Sequence, residues 1–316
     1  MMKKVLIFGG GTGLSCVLSG LKLFPVEVTS VIAVSDDGSS TGVLKEELDI
    51  PAVGDLGKVL LSMANVDEDF VKLLSYRFKK DGTLYNHPVR NILLAALIDL
   101  KGDLTEASKY MCKLLNIKGE VLPLTAEKVD LIGHGETDTY VGECEVSQNI
   151  KNIQNLTYDH PIEVSQTVLD KMREADLIIL SPGSLYTSII PHLIAPEVKD
   201  TLKEISAPIM YISNLVCQPG ETDEYTVSDH VKELNRYLGD RKVDIVVANN
   251  GKVDEKVTDV YRTKEQKSIV TLDEEEMKRL GVTVIADDVV HIDDKGSIRH
   301  NELKTAYLVF SYLMNS

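Results

Sequence analysis

Lys3-Lys4-Val5-Leu6-Ile7-Phe8-Gly9-Gly10-Gly11-Thr12-Gly13-Leu14 decides the reading of this chain. An unbroken apolar run of strand length meets a cluster of glycines, and residues Leu14–Leu23 then carry apolar side chains at helical spacing. Glycine lets a backbone turn sharply and come close to a ligand. The helix that follows offers unpaired N–H groups and a positive dipole end to a phosphate. The match to G-x-G-x-x-G is incomplete, because the third glycine falls on Leu14 when counted from Gly9 and on Cys16 when counted from Gly11. No G-x-x-x-x-G-K-[ST] occurs. Two readings stay open here: a nucleotide- or phosphate-binding turn made by Gly10, Gly11, Thr12, Gly13 and Leu14, or a tight strand-to-helix turn that binds nothing.

Outward from this corner, strand-like and helix-like runs alternate. Val26–Val34 is β-branched and strand-like, and residues 55–115 repeat their apolar positions near the helical period. Asp176–Leu180, Ile209–Ile212 and Val243–Ala248 are short apolar runs bounded by charge or turn residues, as buried parallel strands are. The pattern predicts an α/β fold: a doubly wound, Rossmann-like, mostly parallel sheet with a helical insertion. Val129–Ile132 and Tyr140–Val146 read as shorter strands forming a small β extension on one edge. No repeat or linker divides residues 1–316, so one domain is expected.

The 316 residues carry 34 Lys and Arg against 49 Asp and Glu, a formal charge of -15, with 43% hydrophobic residues. Such a chain can bury a sizeable core. The basic footprint of a nucleic-acid or anionic-lipid binder is absent, and with no Trp and 5% aromatics there are few stacking platforms. No stretch approaches the roughly 20 apolar residues that span a bilayer, so no membrane span is expected. Met1–Phe8 begins like a signal peptide, but glycines cut its apolar run and no small-residue cleavage site follows. Cys16, Cys112, Cys144 and Cys217 lie far apart without a C-x-x-C, which suits free thiols in a reducing cytoplasm. His134, His160, His192, His230 and His291 show no metal-ligand spacing. Asp273–Glu276 reads as the first turn of a helix, where carboxylates suit the dipole.

The second loop is Val34-Ser35-Asp36-Asp37-Gly38-Ser39-Ser40-Thr41-Gly42. Carboxylates at the C-terminal end of a strand stand where doubly wound sheets bind ligands. Asp36 or Asp37 suits a ribose hydroxyl, Mg²⁺ held through water, or a substrate hydroxyl, and these two are the candidates for a catalytic role. Ser39 and Ser40 suit contact with phosphate; an acidic surface turn is the alternative. Gly38–Gly42 also matches G-x-S-x-G, but a nucleophile elbow needs a helix at once, and none is expected directly across Val43–Asp49. Further on, Gly183 permits close backbone approach, and Ser184, Thr187 and Ser188 carry hydroxyls for phosphate oxygens. Ser184 with its neighbour Leu185 would close the opposite side of a diphosphate, with Tyr186 against a base or sugar; the alternative is that Ser184 caps a helix. Asn214 and Gln218 have the paired donors and acceptors that read a base edge. His87, between Asn86 and Asn91 at a helix start, suits phosphate contact or capping.

Taken together, Gly9–Leu14 (GGGTGL), Asp36–Gly42 (DDGSS-x-G), Gly54-Asp55, His87-x-x-x-Asn91, Ser181–Pro191 (SPGSLYTSIIP) and Asn214–Thr222 (N-x-x-x-QPGET) make the chain resemble the YvcK/CofD-like family of gluconeogenesis factors over nearly its whole length. Ile298–Asn301, with Arg299, is similar to the family's C-terminal segment. The resemblance implies a modified Rossmann fold that binds a nucleoside diphosphate. The YvcK branch binds UDP-sugars, including UDP-N-acetylglucosamine, and supports cell shape and wall synthesis during gluconeogenic growth, with no established reaction. The CofD branch transfers a phospholactyl-type group from a guanosine diphosphate donor to a deazaflavin precursor, with Mg²⁺.

These strings look closer to YvcK, so the expectation is a cytoplasmic UDP-sugar-binding factor that requires no cofactor, Mg²⁺ being optional, and that is compatible with a homodimer. A Mg²⁺-dependent transferase using the same pocket is the alternative, and an NAD-type oxidoreductase, with its glycine fingerprint broken, is weaker. The family's usual G-D-x-R-N is Gly54-Asp55-Leu56-Gly57-Lys58 here, and its usual Gly before the helix Asn is Arg90. Arg90 or Lys58 is therefore expected to replace the missing cation near a phosphate.

Overall fold

Strand β1 (Lys3–Gly9) forms where the apolar run predicts it, with Val5–Phe8 buried on both faces. A computed structural model describes residues 2–316, apart from the side chains of Ser39 and Asn152. Its main sheet is completed by β2 (Val26–Ile32), β3 (Glu120–Pro123) and four later strands, which β4–β6 of a second sheet precede in the chain. Those three are β4 (Leu131–His134), β5 (Thr139–Val141) and β6 (Asn155–Tyr158), and the later four are β7 (Leu177–Leu180), β8 (Ile209–Ile212), β9 (Ile245–Asn249) and β10 (Thr283–Asp287). The order across the main sheet is β10-β9-β8-β7-β1-β2-β3, and each pairing is parallel.

This order reverses between β1 and β7. From β1 the chain steps outward to β2 and β3, then returns to β7 on the other flank and continues to β10. Neighbouring strands that send their following segments in opposite directions leave a crevice at their C-terminal ends. The register Val5↔Leu177 to Phe8↔Leu180 brings the Gly9–Gly13 corner and the segment from Ser181 out of the sheet side by side. Helix α1 (Gly11–Leu21) follows β1, α2 (Ser39–Leu48) follows β2, and α3 (Gly54–Met63) begins the expected helical insertion. Glu68–Ser75, Val89–Lys101 and Leu104–Leu114 complete that insertion. Each has a reason to start: Asp67 and Asp103 accept from backbone N–H groups of the first turn, and Pro88 precedes Val89 in extended backbone.

Two sequence expectations change. The middle strands do not extend an edge of the main sheet; β5-β4-β6 form their own antiparallel sheet. Tyr140–Val146 is not one strand: β5 stops at Val141, and Glu143–Asn149 is helical. Gly142 takes φ +91, which an L side chain rarely adopts, and the Asp37 Oδ1 accepts from Cys144 N at 2.9 Å. A carboxylate more than a hundred residues upstream thus starts this helix. The last hairpin, β11 (Val290–Ile292) and β12 (Ile298–His300), is antiparallel. No helix among the described residues is long and apolar enough to cross a membrane.

Candidate functional site

The first corner is built for close approach. Gly10 is extended and caps α1 without a side-chain hydrogen bond, and Gly11 takes φ +63. The first N–H groups of α1 therefore lack a side-chain cap, and Gly10 and Gly11 put no side chain of their own beside them. Gly13 packs against the second corner: a Cβ there would stand 2.8 Å from the Pro182 carbonyl carbon and closer to its oxygen. Leu14 is fully buried and anchors α1 in the core, so only its backbone belongs to the corner.

At the second corner the capping alternative holds for Ser184. Its Oγ accepts from Thr187 N at 3.1 Å and Thr187 Oγ1 at 2.7 Å, and it donates to Glu221 Oε1 at 2.8 Å. Glu221 Oε1 also accepts from Tyr186 N at 2.9 Å, so this carboxylate sits over the start of the helical turn Leu185–Ile189. Burial pushes the Glu221 carboxyl up to about 7 against these bonds. Leu185 and Tyr186 are buried, and Tyr186 donates its hydroxyl to Glu233 at 2.9 Å, so its ring belongs to the core and not to a base or sugar. Asn214 is likewise used by the fold: Oδ1 accepts from Gly183 N at 2.9 Å and Nδ2 donates to Gly183 O at 2.8 Å. That two-way clamp fixes Gly183 in the crevice instead of reading a base edge.

Between the corners lies a cavity of about 460 Å³. Gly10–Gly13, Gly183, Ser184, Asn214, Gln218 and Arg299 line it, drawn from four separate stretches of the sequence. Sequence reasoning missed Lys267, Val216 and His300, which also line it. Lys267 arrives because Cys217 N donates to Ser268 O and Val270 N to Leu215 O, joining two distant segments; no local pattern signals this. His300 is held by Ser213 O at 3.0 Å, and burial pushes its imidazole down to about 4, so it is neutral. Cys16, also on the lining, donates to His300 O, and burial pushes its thiol up to about 12.

The remaining candidates gather beside this cavity. Burial raises the Asp36 carboxyl, offset in part by the N–H of Gly38, whose bond to Asp36 Oδ1 is 2.9 Å. Burial, then the charges of Asp36 and Asp55, push Glu143 up to about 8. Asp37 is occupied as the cap of the Glu143 helix. Ser40 Oγ stands 2.9 Å from His87 Nδ1, both buried, which explains the helix-start position of His87. Contrary to expectation a helix does follow Gly38 directly, starting at Ser39, yet β2 ends several residues earlier and Ser40 is buried, so this is no exposed elbow. The Ser39 side chain lies outside the described residues. Asn91 is buried with Oδ1 unpaired among the described residues. Asp55 ties this group to the first corner: a Cβ on Gly10 would stand 2.8 Å from its Oδ2. Lys58, one of two cations expected at a phosphate, is ion-paired with Asp55 at 2.7 Å.

Residues 5–290 match the family model described as 2-phospho-L-lactate transferase CofD. The chain is 40% identical over 314 residues to a gluconeogenesis factor of Bacillus subtilis, covering 98% of each. It is 38% identical over 307 residues to a gluconeogenesis factor of Halalkalibacterium halodurans, covering 96% of this chain and 94% of that one. A crystal structure of a Bacillus halodurans protein superposes with a TM-score of 0.93 at 36% identity, covering 98% of this chain and 100% of that one. The switch-point crevice and these end-to-end likenesses lead to one conclusion: the chain belongs to the CofD family, among relatives named gluconeogenesis factors.

Proposed function

We propose that the chain binds a UDP-sugar of the UDP-N-acetylglucosamine type in the crevice between β1 and β7, and that it acts in the cytoplasm on cell shape and wall synthesis during gluconeogenic growth. The observation that carries the binding reading is the convergence of two glycine corners and an uncapped helix N-terminus on one cavity of about 460 Å³. A diphosphate needs donors from more than one side, and backbone N–H groups supply them without a cationic surface. Arg299 and Lys267 also line the cavity, Arg299 with Asp293 at 3.9 Å and Lys267 ion-paired with Glu265 at 2.8 Å. Gln218, lining the same cavity, is left to read the base, since Asn214 is committed to Gly183.

A second reading, group transfer from a nucleoside diphosphate, draws on the carboxyls of Asp36 and Glu143, which burial holds in the range of a proton acceptor near neutral pH in the case of Glu143. Among the described residues no group of three or more His, Cys, Asp or Glu is arranged to hold a metal by itself, so on this reading Mg²⁺ would be held by one or two carboxylates, Asp36 among them, together with the phosphates of the ligand. Asp37 and Asp55 are already engaged, Asp37 by Cys144 N and Asp55 by Lys58.

Calorimetric titration with UDP-N-acetylglucosamine, UDP-glucose, GDP and NAD, each with and without Mg²⁺, tests the reading. Tight uridine-sugar binding without turnover is the expected result. Preference for GDP that Mg²⁺ strengthens moves the assignment to the transferase, and binding of NAD alone refutes both.

A further inference from the structure

Arg90 stands in the first turn of Val89–Lys101, a helix whose N-terminus has no side-chain cap. It is only 7% exposed. Its Nε is enclosed and has no hydrogen-bond partner among the described residues. The carboxylate whose charge reaches it, Asp55, is taken by Lys58. Burial and then the charge of Arg77 hold the guanidinium below its ordinary value, so its surroundings oppose the charge it carries. A buried charge without a partner is costly unless something else supplies one. The fold nevertheless makes room for it: a Cβ on Gly57 would stand 3.2 Å from Arg90 Cδ and 3.4 Å from Nε, so the stem lies across a bare stretch of α3. Arg90 does not line the cavity between the glycine corners, yet Asp55 touches both surroundings. Asn91, next in the same turn, also carries a buried polar atom without a partner among the described residues.

We propose that Arg90 recognises an oxyanion, a carboxylate or phosphoryl group, that accompanies the diphosphate, so that the site takes a nucleoside-diphosphate sugar bearing an additional acid, or such a nucleotide together with free phosphate. This rests on the diphosphate reading of the crevice. The planar fork of a guanidinium binds either group through two parallel bonds. The uncapped helix N-terminus adds its dipole to the same charge. Arg90 is not among the residues that line the cavity between the glycine corners, so the donors proposed for the diphosphate do not include it.

The test compares the wild type with Arg90→Met, Arg90→Lys and Gly57→Ala by calorimetry and thermal melting. The probes are UDP-N-acetylglucosamine alone, UDP-glucuronic acid, UDP-N-acetylglucosamine with inorganic phosphate, and inorganic phosphate alone. One of the two acid-bearing uridine probes is expected to bind the wild type about ten- to hundredfold tighter than UDP-N-acetylglucosamine alone. Which of them does so separates an acid on the sugar from a free phosphate. Arg90→Met brings that ratio to near one, Arg90→Lys restores part of it, and Gly57→Ala lowers it by displacing the stem. The ligand-free Arg90→Met chain melts no lower than the wild type, because an uncompensated charge has been removed. A wild type without the preference, a preference that survives Arg90→Met, or a clear loss of ligand-free stability in that variant overturns the proposal. If no uridine nucleotide binds the wild type, the uridine reading of the crevice has failed; stabilisation by phosphate alone that Arg90→Met abolishes then keeps the oxyanion role, and its absence overturns that as well.

Discussion

Gly13→Ala tests whether the two corners form one site. The added Cβ would stand 2.8 Å from the Pro182 carbonyl carbon, whereas non-bonded carbons rest near about 3.5–4.0 Å, so one corner must retreat by roughly 1 Å. Neither side can yield by rotating a side chain, because both are backbone: the first turn of α1 on one side, and on the other Pro182, next to Gly183, which Asn214 clamps. Overpacking of this kind costs about 1–3 kcal/mol, which lowers the melting temperature of a chain this size by roughly 2–5 °C. A shift of that size also carries a hydrogen bond beyond its working length, and each charge-assisted bond lost weakens a ligand by about ten- to hundredfold. Thermal melting and calorimetry with UDP-N-acetylglucosamine read the two effects separately. Gly11→Ala is the control: its cost, about 1–2 kcal/mol, comes from φ +63 and not from contact, so Gly11→Asn recovers part of it. A Gly13→Ala chain with wild-type melting and affinity would refute the joint-site reasoning.

Other perturbations follow from the same geometry. Burial raises Glu221 from 4.5 to about 7, so the folded chain holds this proton more tightly than the unfolded one. The stability of the neutral form is therefore present below pH 4.5 and lost as pH rises toward 7; Glu221→Gln is expected to flatten that slope in melting curves and to melt above the wild type at pH 8. Arg241 donates to Leu202 O, Ile205 O and Ala207 O at 2.9, 2.6 and 2.8 Å, and Arg241→Ala should cost about 2–4 kcal/mol in urea unfolding by orphaning carbonyls at a helix end. Lys45 is 1% exposed and donates to Val129 O at 2.7 Å and Asp130 Oδ1 at 2.6 Å. Lys45→Met should destabilise by about 1–3 kcal/mol, because Asp130 can rehydrate while the Val129 carbonyl cannot.

What was legible in the sequence was what neighbouring residues decide together. Lys3–Leu14, Ile209–Ile212 and the helices from Gly54 to Leu114 follow from apolar period and glycine alone, and they carry the sheet order and the crevice. The Glu143 helix was hidden because its start depends on Asp37, and alternation from Tyr140 to Val146 suits a strand until Gly142 turns the chain. Ser184 and Asn214 have the right groups for a ligand, but Glu221 and Gly183 claim them, and the sequence does not rank a distant partner above an absent one. Lys267 reaches the cavity through pairing between distant segments. Arg90 stood out as a residue type, yet its isolation depends on how its helix packs on Gly57 of α3 and not on any one stretch of chain.

The place of β1 between β2 and β7 also has a consequence for how the protein is made. β1 leaves the ribosome first and gains β2 almost at once, but its other neighbour, Leu177–Leu180, is more than 160 residues behind it. At about 5–20 residues per second that is on the order of ten to thirty seconds of synthesis. Through that interval a strand whose Val5–Phe8 run is destined for the core offers an open edge, the kind of surface that recruits other strands. The crevice between β1 and β7 does not exist until the same gap closes, so the crevice and the protection of β1 are completed by one late event.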